Sequence, residues 1–235
     1  RQIVLDGIPM LQRVVEALLA TAEIRHVAIS VESPDIVTSV PRLATLLAEG
    51  RISTVPSGDS LFSSVTQAVA AIDDPYPLLI STADNALHTA EMTSSFASAC
   101  AAGTADVYVG MTRASDVLAA YPEGRRAFHR FRDGGYSSCN LYSLMSPKAL
   151  RAAEAFEGGG QFGKKPRRIL KAFGLLTLIF YKLRWLTLDQ MARLISRRNG
   201  LLVKTVIMPF AEAPIDVDNL EDFILTEKIL KARRG

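Results

Sequence analysis

The stretch Pro77-Leu78-Leu79-Ile80-Ser81-Thr82-Ala83-Asp84-Asn85-Ala86-Leu87 sets the fold class. A short, mostly apolar run is too brief for a helix and reads as a buried central strand, and a polar break carrying Asp84 follows it. Thr89-Ala90-Glu91-Met92 then opens a helix, with Thr89 as its cap. The same alternation recurs upstream. Met10, Leu11, Val14, Val15, Leu18 and Leu19 share one helical face after Gly7-Ile8-Pro9, and His26-Val27-Ala28-Ile29-Ser30-Val31 reads as a strand. A helix around Pro41 to Ala48, a strand from Arg51 to Val55 and a helix from Leu61 to Ile72 follow, the last with Val65, Ala68, Val69 and Ile72 inward. Strand, helix, strand in repetition implies a largely parallel sheet with right-handed crossovers.

Downstream, Asp106 to Met111 is a further strand, and Phe128 to Tyr136 contains a turn at Asp133-Gly134-Gly135. Extended structure resumes from Asn140 to Leu144, before a helix from Pro147 to Phe156. Gly158-Gly159-Gly160 reads as a hinge into a basic helical insertion at about 158–200. A strand from Leu201 to Met208 and a helix from Leu220 to Lys231 close the chain. At 235 residues and 49% hydrophobic content, a single α/β domain spanning 1–235 accommodates all of this.

Net charge is only +3, but its distribution is uneven. Eleven lysines and arginines lie between Lys164 and Lys204 against one acid, Asp189, so that segment attracts anions. Cys100 and Cys139 have neither metal-like spacing nor the density of a disulfide framework, which fits a cytoplasmic setting. The apolar run from Ala172 to Leu188 is interrupted by Lys182 and Arg184 and makes a poor membrane span. The opening residues, with only a short apolar stretch interrupted by Asp6, do not read as a signal peptide. Strand-like residues at the first positions, without an initiator methionine, carry the expectation that natural residues precede Arg1.

Ligands in open α/β sheets collect at the carboxyl ends of strands, where helix N-termini offer free amides. Asp84 sits at such an end. Asp216 and Asp218, in Ile215-Asp216-Val217-Asp218, precede the last helix and face the same way, because alternate residues of an extended segment do. Carboxylates gathered there suit Mg²⁺, a cation that prefers oxygen and bridges substrate phosphates. An aspartate after a strand also serves as a cap or turn residue, and Asp222 reads as a cap.

Three segments carry a family resemblance. Gly7-Ile8-Pro9-Met10-Leu11, Ser81-Thr82-Ala83-Asp84-Asn85-Ala86-Leu87 and Asp216-Val217-Asp218-Asn219-Leu220-Glu221-Asp222-Phe223 resemble, in order and spacing, motifs of nucleotidyltransferases similar to molybdenum-cofactor guanylyltransferase. The resemblance spans nearly the whole chain. It implies a GT-A-like, Rossmann-like three-layer α/β/α fold with a mixed, mainly parallel sheet and a C-terminal helical insertion. It also implies transfer of a nucleoside monophosphate from an NTP to a phosphate-bearing acceptor, with release of pyrophosphate. On that resemblance Asp84 and Asp218 are catalytic and hold Mg²⁺, Asp216 supports them, and Gly58 and Ser64 lie near the nucleotide. A turn glycine and a helix-start serine are the plain alternative for the last two.

The sequence departs from the family in two places. The Gly-rich loop with its arginine and lysine, which precedes the first motif in the family, is absent from this sequence. The family's proline after the metal aspartate is Ala86, and its Thr-Pro is Asn219-Leu220. A noncatalytic nucleotide-binding module that has lost the loop, or a GT-A glycosyltransferase, are the alternative functions.

Two basic clusters remain. Arg125, Arg126 and Arg130, with Asn140 beyond them, read as acceptor-binding or as a solvated hairpin. Lys164 and Lys165 read as acceptor-binding on an inserted lid. With Phe173, Leu176, Ile179, Phe180 and Trp185, the segment 164–200 also reads as a peripheral membrane contact, or as a helical cap packed on the sheet or a second subunit. No nucleic-acid recognition motif accompanies it. His26 and His88 read as structural.

Overall fold

A computed structural model describes residues 2–123, 127–156 and 174–234, apart from the side chains of 154–156. The chain opens with a hairpin, β1 (Val4–Leu5) and β2 (Ile8–Pro9), whose register pairs Leu5 with Ile8 around Asp6-Gly7. Both turn residues have positive φ, 47° and 76°, the geometry that matches strand twist and that Asp-Gly accommodates at low cost. Helix α1 (Met10–Leu19) begins at Pro9 and turns Val14 and Val15 inward.

Strands β3 (Val27–Val31) and β4 (Ile52–Pro56) pair in parallel, linked through α2 (Asp35–Thr38) and α3 (Pro41–Ala48). Helix α4 (Leu61–Ala71) packs against both strands, and its N-terminus is capped by Ser60, whose hydroxyl accepts from the Ser63 amide. Of its expected inward residues only Val65 is fully buried.

The larger sheet has the order β5 (Leu78–Ser81), β8 (Gly134–Leu144), β6 (Val107–Arg113), β9 (Val203–Ile207), with β7 (His129–Phe131) also on β8. β6 and β9 are parallel, and β8 runs against β5, β6 and β7. β5 therefore shares the direction of β6 and β9, with the reversed β8 between. β5 is half-buried rather than buried, because β8 is its one strand partner among the described residues.

Both faces of this sheet are covered, and β6 shows how. Successive strand residues point to opposite faces. Val107 packs with Val65 of α4 and with Ala149 and Ala153 of a 3-10 segment, Pro147–Phe156. Its neighbour Tyr108 packs with Met92, Phe96 and Cys100 of α5 (Ala90–Ala101), the helix capped by Thr89. Helix, sheet and helix form three layers, as the α/β pattern requires. Pro147–Phe156 departs from the expected α-helix by adopting 3-10 geometry, a conformation common in short connectors. The turn between β7 and β8 falls on Arg132-Asp133, one residue earlier than the glycines suggest, since Phe131 pairs with Gly134.

Helix α6 (Ala114–Ala120) packs on β6 and β8. Within the basic insertion lie α7 (Leu175–Leu183) and α8 (Leu188–Asn199), the latter packed on β9. α8 carries a full capping box, Thr187 with Gln190, and ends at Gly200 in the left-handed conformation. α9 (Leu220–Ala232) closes the chain. Among the described residues no helix is long and apolar enough to cross a membrane.

Candidate active site

The site forms where β5 ends. After Ser81 the chain leaves the sheet, and the loop from Thr82 to His88 is fastened from beneath. Ala86 and Leu87 are buried with Ile215, Val217, Leu225, Ile229 and Leu230 in one apolar cluster. Ile215 and Val217 point into that cluster, so the alternating Asp216 and Asp218 are turned the other way, toward Asp84. A backbone bond of 3.1 Å, from the Val217 amide to the Asp84 carbonyl, locks the two segments in register. Two further bonds reach the Ala213 carbonyl: neutral His88 donates through Nε2 over 2.9 Å, and Asn85 through Nδ2 over 3.4 Å.

Asp84, Asp216 and Asp218 thus each offer a carboxylate oxygen within 4.8 Å of the others, with Asp84 and Asp216 half-buried and Asp218 exposed. Two of the carboxylates, Asp84 and Asp216, are oriented by neighbours. The Thr82 hydroxyl lies 2.5 Å from Asp84 Oδ1 and 2.6 Å from Asn85 Oδ1. Asn140 donates through Nδ2 to Asn85 Oδ1 at 2.9 Å and to Asp216 Oδ2 at 3.2 Å. Asn140 reaches them because it stands in the left-handed region, φ 52°, within β8, where the β6–β8 register shifts. Opposite this bulge, Gly110 has Leu141 and Cys139 atoms 3.3 to 3.5 Å from where a Cβ would stand.

Electrostatics follow the geometry. Burial holds the Asp84 carboxyl above its ordinary value; the Thr82 hydroxyl works against this, and Asp216 and Asp218 reinforce it. The Tyr142 phenol is pushed up by burial, with Asp216 and Asp84 adding to the push and Ser138 opposing it. Burial lowers the His88 imidazole, leaving it neutral. A set of hard oxygen donors, two half-buried and one exposed, with burial and like charge disfavouring ionisation of Asp84, is chemically suited to a divalent cation.

Gly58 and Ser64 meet one another: the Gly58 amide donates to Ser64 Oγ at 3.0 Å, folding the β4–α4 loop onto the start of α4. A Cβ at Gly58 would come within 2.1 Å of Ser63 Oγ and 2.5 Å of Ser63 Cβ, so the position admits glycine alone without rearrangement. Arg130 is exposed on β7, between His129 and Phe131, which turn inward. Arg125, Arg126, Lys164 and Lys165 lie outside the described residues. Asp222 is not the cap of α9: Asn219 is, accepting from the Asp222 amide, while Asp222 Oδ2 accepts in return from Asn219 Nδ2 at 2.8 Å.

Thr82 and Asn85 are the residues that sequence reasoning leaves out. Their only local signal is a hydroxyl and an amide flanking a carboxylate at a strand end, and Asn85 is fully buried.

Comparison with known proteins bears on the fold and the family. In three dimensions the chain is similar to a hypothetical transferase from Thermus thermophilus, with a TM-score of 0.72 at 22% identity over 94% of this chain and 89% of that one. It is also similar to 4-diphosphocytidyl-2C-methyl-D-erythritol synthase from Anaerococcus prevotii, with a TM-score of 0.57 at 13% identity over 97% of this chain and 92% of that one. The CMP:2-keto-3-deoxy-manno-octonic acid synthetase complexed with CTP gives a TM-score of 0.57 at 12% identity over 100% and 92%. These likenesses establish the fold. No curated protein matches the sequence. A model of the MobA-like NTP transferase domain matches residues 2–174, a span that includes α1, Asp84 and Asn140. The chain therefore belongs to the MobA-like NTP transferase domain family, and it is an enzyme of the nucleotidyltransferase class.

Proposed function

We propose that this protein transfers a nucleoside monophosphate from an NTP to a phosphate-bearing small-molecule acceptor. An acceptor phosphate oxygen bonds to the α-phosphorus, the α–β phosphoanhydride bond breaks, and pyrophosphate leaves with the bonding electrons. The observation that carries the reading is the convergence of Asp84, Asp216 and Asp218 within 4.8 Å at the end of β5, in a chain of this family.

Asp84 and Asp218 would hold Mg²⁺, with Asp216 supporting. Bound there, the ion supplies charge neutralisation on the phosphates and alignment for in-line attack. The chain's own contribution is positioning. Thr82 directs Asp84, Asn140 directs Asp216, and the apolar cluster under Val217 keeps both segments from separating. The Gly58–Ser64 loop is the candidate contact for the nucleotide, and Arg130 a candidate for the acceptor. The buried thiols of Cys100 and Cys139, not joined in a disulfide, suit a cytoplasmic setting, where NTPs are abundant. A cytidine donor is supported by the two neighbours whose names contain a cytidine nucleotide.

The test is pyrophosphate release with each NTP, Mg²⁺ and a panel of phosphorylated sugars and polyols, against Asp84→Ala and Asp218→Ala. Release that requires one NTP and disappears in both variants supports the reading. Retained nucleotide binding with no release across the panel favours a noncatalytic binding module, and sugar release from a nucleotide sugar would point to a glycosyltransferase.

A further inference from the structure

The described part of the basic insertion presents an apolar stripe that no other element among the described residues covers. On α7, Leu175, Leu176, Ile179 and Leu183 are 60%, 65%, 38% and 50% exposed, and Trp185 beyond the helix is 58% exposed. At 100° per residue the four α7 positions fall in an arc of about 100°. The opposite face of the helix is anchored. Thr177 is buried, and Tyr181 bonds through its hydroxyl to His129 Nδ1 at 2.9 Å and stacks edge-on against Phe131.

Cations surround this stripe. Lys182 flanks it on the helix, and Arg184 ends the helix in a left-handed conformation that swings the chain so that Trp185 comes beside Phe180, ring centres 6.1 Å apart. At the other end the Arg198 guanidinium lies against Gly174, 2.6 Å from where a Cβ would be. Residues 174–200 carry five cations against one acid, Asp189, which is already paired with Arg193.

We propose that this face docks on an anionic lipid surface, with the α7 stripe and Trp185 at the headgroup–acyl boundary and Lys182, Arg184 and Arg198 among the headgroups. An apolar stripe edged by cations and ended by an indole is the arrangement an interfacial helix requires, because apolar burial and attraction to anionic lipid add. A second copy of the chain fits less well. Pairing the stripe with itself would oppose two positively charged rims, whereas interface cores are depleted of charge. The proposal is independent of the transferase reading, and its readout needs no turnover.

Trp185 is the chain's single tryptophan, so its emission reports on this face alone. The full chain is titrated with phosphatidylcholine vesicles, with vesicles containing phosphatidylserine, with inorganic phosphate and with a single-stranded oligonucleotide, and co-sedimentation is measured in parallel. A blue shift and pelleting with the anionic vesicles only is the expected result. Ile179→Asp should abolish it, and Lys182→Glu with Arg184→Glu should weaken partition roughly 25-fold or more, with circular dichroism unchanged. Four results would each overturn the proposal. They are no response to anionic vesicles, an equal response to neutral ones, a response to phosphate or oligonucleotide in place of lipid, and a lipid-free blue shift that follows protein concentration with dimers in sedimentation velocity.

Discussion

The amide of Val217 donates to the carbonyl of Asp84 across 3.1 Å, and this bond fixes the spacing of two carboxylate segments distant in sequence. Because the bond is backbone to backbone and the Val217 side chain is buried beside Leu87, the geometry does not depend on the carboxylates themselves. Removing a carboxylate should therefore disable chemistry without unfolding the site. Asp218→Ala, at the most exposed of the three, should lower pyrophosphate release roughly 10²–10³-fold while thermal melting moves little, and paired activity and melting measurements check both halves.

Asn140 should behave as a positioning residue. Asn140→Gly keeps the left-handed backbone at little cost but removes the amide that holds Asn85 and Asp216, so activity should fall roughly 10–100-fold with near-normal stability. Asn140→Ala should lose the same activity and about 1–2 kcal/mol of stability besides, because alanine keeps a Cβ at φ 52° without the short polar side chain by which asparagine tolerates the left-handed region. Equal melting of the two variants would contradict the backbone argument.

Asp84 should make the metal-free protein more stable in mild acid. Its folded-state value is raised, so the native state holds its proton more tightly than the unfolded chain, and stability declines as pH rises from the ordinary carboxyl value through the raised one. Asp84→Asn should then melt higher than the parent without metal at neutral pH and lose the upward shift that Mg²⁺ gives the parent. Scanning calorimetry with and without Mg²⁺ reads both effects.

His129 has the opposite sign. Burial lowers its imidazole, so the unfolded chain takes the proton first, and the stability it contributes is full above the ordinary value of 6.5 and lost as pH falls below it. Since its Nδ1 bonds Tyr181, acidification should loosen α7 before the sheet. Hydrogen exchange across α7 at pH 8 and at pH 5, each rate taken relative to the base-catalysed intrinsic rate at that pH, should show weaker protection at the lower pH, and His129→Gln should flatten the difference.

Gly58→Ala should damage the loop before α4. The new methyl would collide with Ser63 at its Cβ, not only at its mobile hydroxyl, and relieving this would pull the Gly58 amide off Ser64. A destabilisation of about 1–3 kcal/mol is expected, with weaker NTP binding in fluorescence titration if the loop contacts the nucleotide.

Much of this molecule was legible one segment at a time. α1, β3, α3 and the capped start of α5 follow from periodicity and caps, which are local properties of a few adjacent residues. The alternation in Ile215-Asp216-Val217-Asp218 likewise revealed which residues would be hidden and which presented together. That Asp84 follows a strand end, and that the last motif opens a helix, needed no tertiary information.

Tertiary structure decided what depends on partners far away in sequence. The half-burial of β5 depends on which strands flank it, and the left-handed conformation of Asn140 on a bulge opposite Gly110. The roles of Thr82 and Asn85 appear only once Asn140 and Ala213 arrive from elsewhere in the chain. The α7 stripe also needed the fold, since the sequence shows an apolar helix edged by cations, and only packing determines that Thr177 and Tyr181 turn inward while Leu176 and Ile179 are left to solvent. Local chemistry sets each element's propensity and each side chain's repertoire; which groups meet is settled by long-range packing of apolar faces, and the site exists only after that packing is complete.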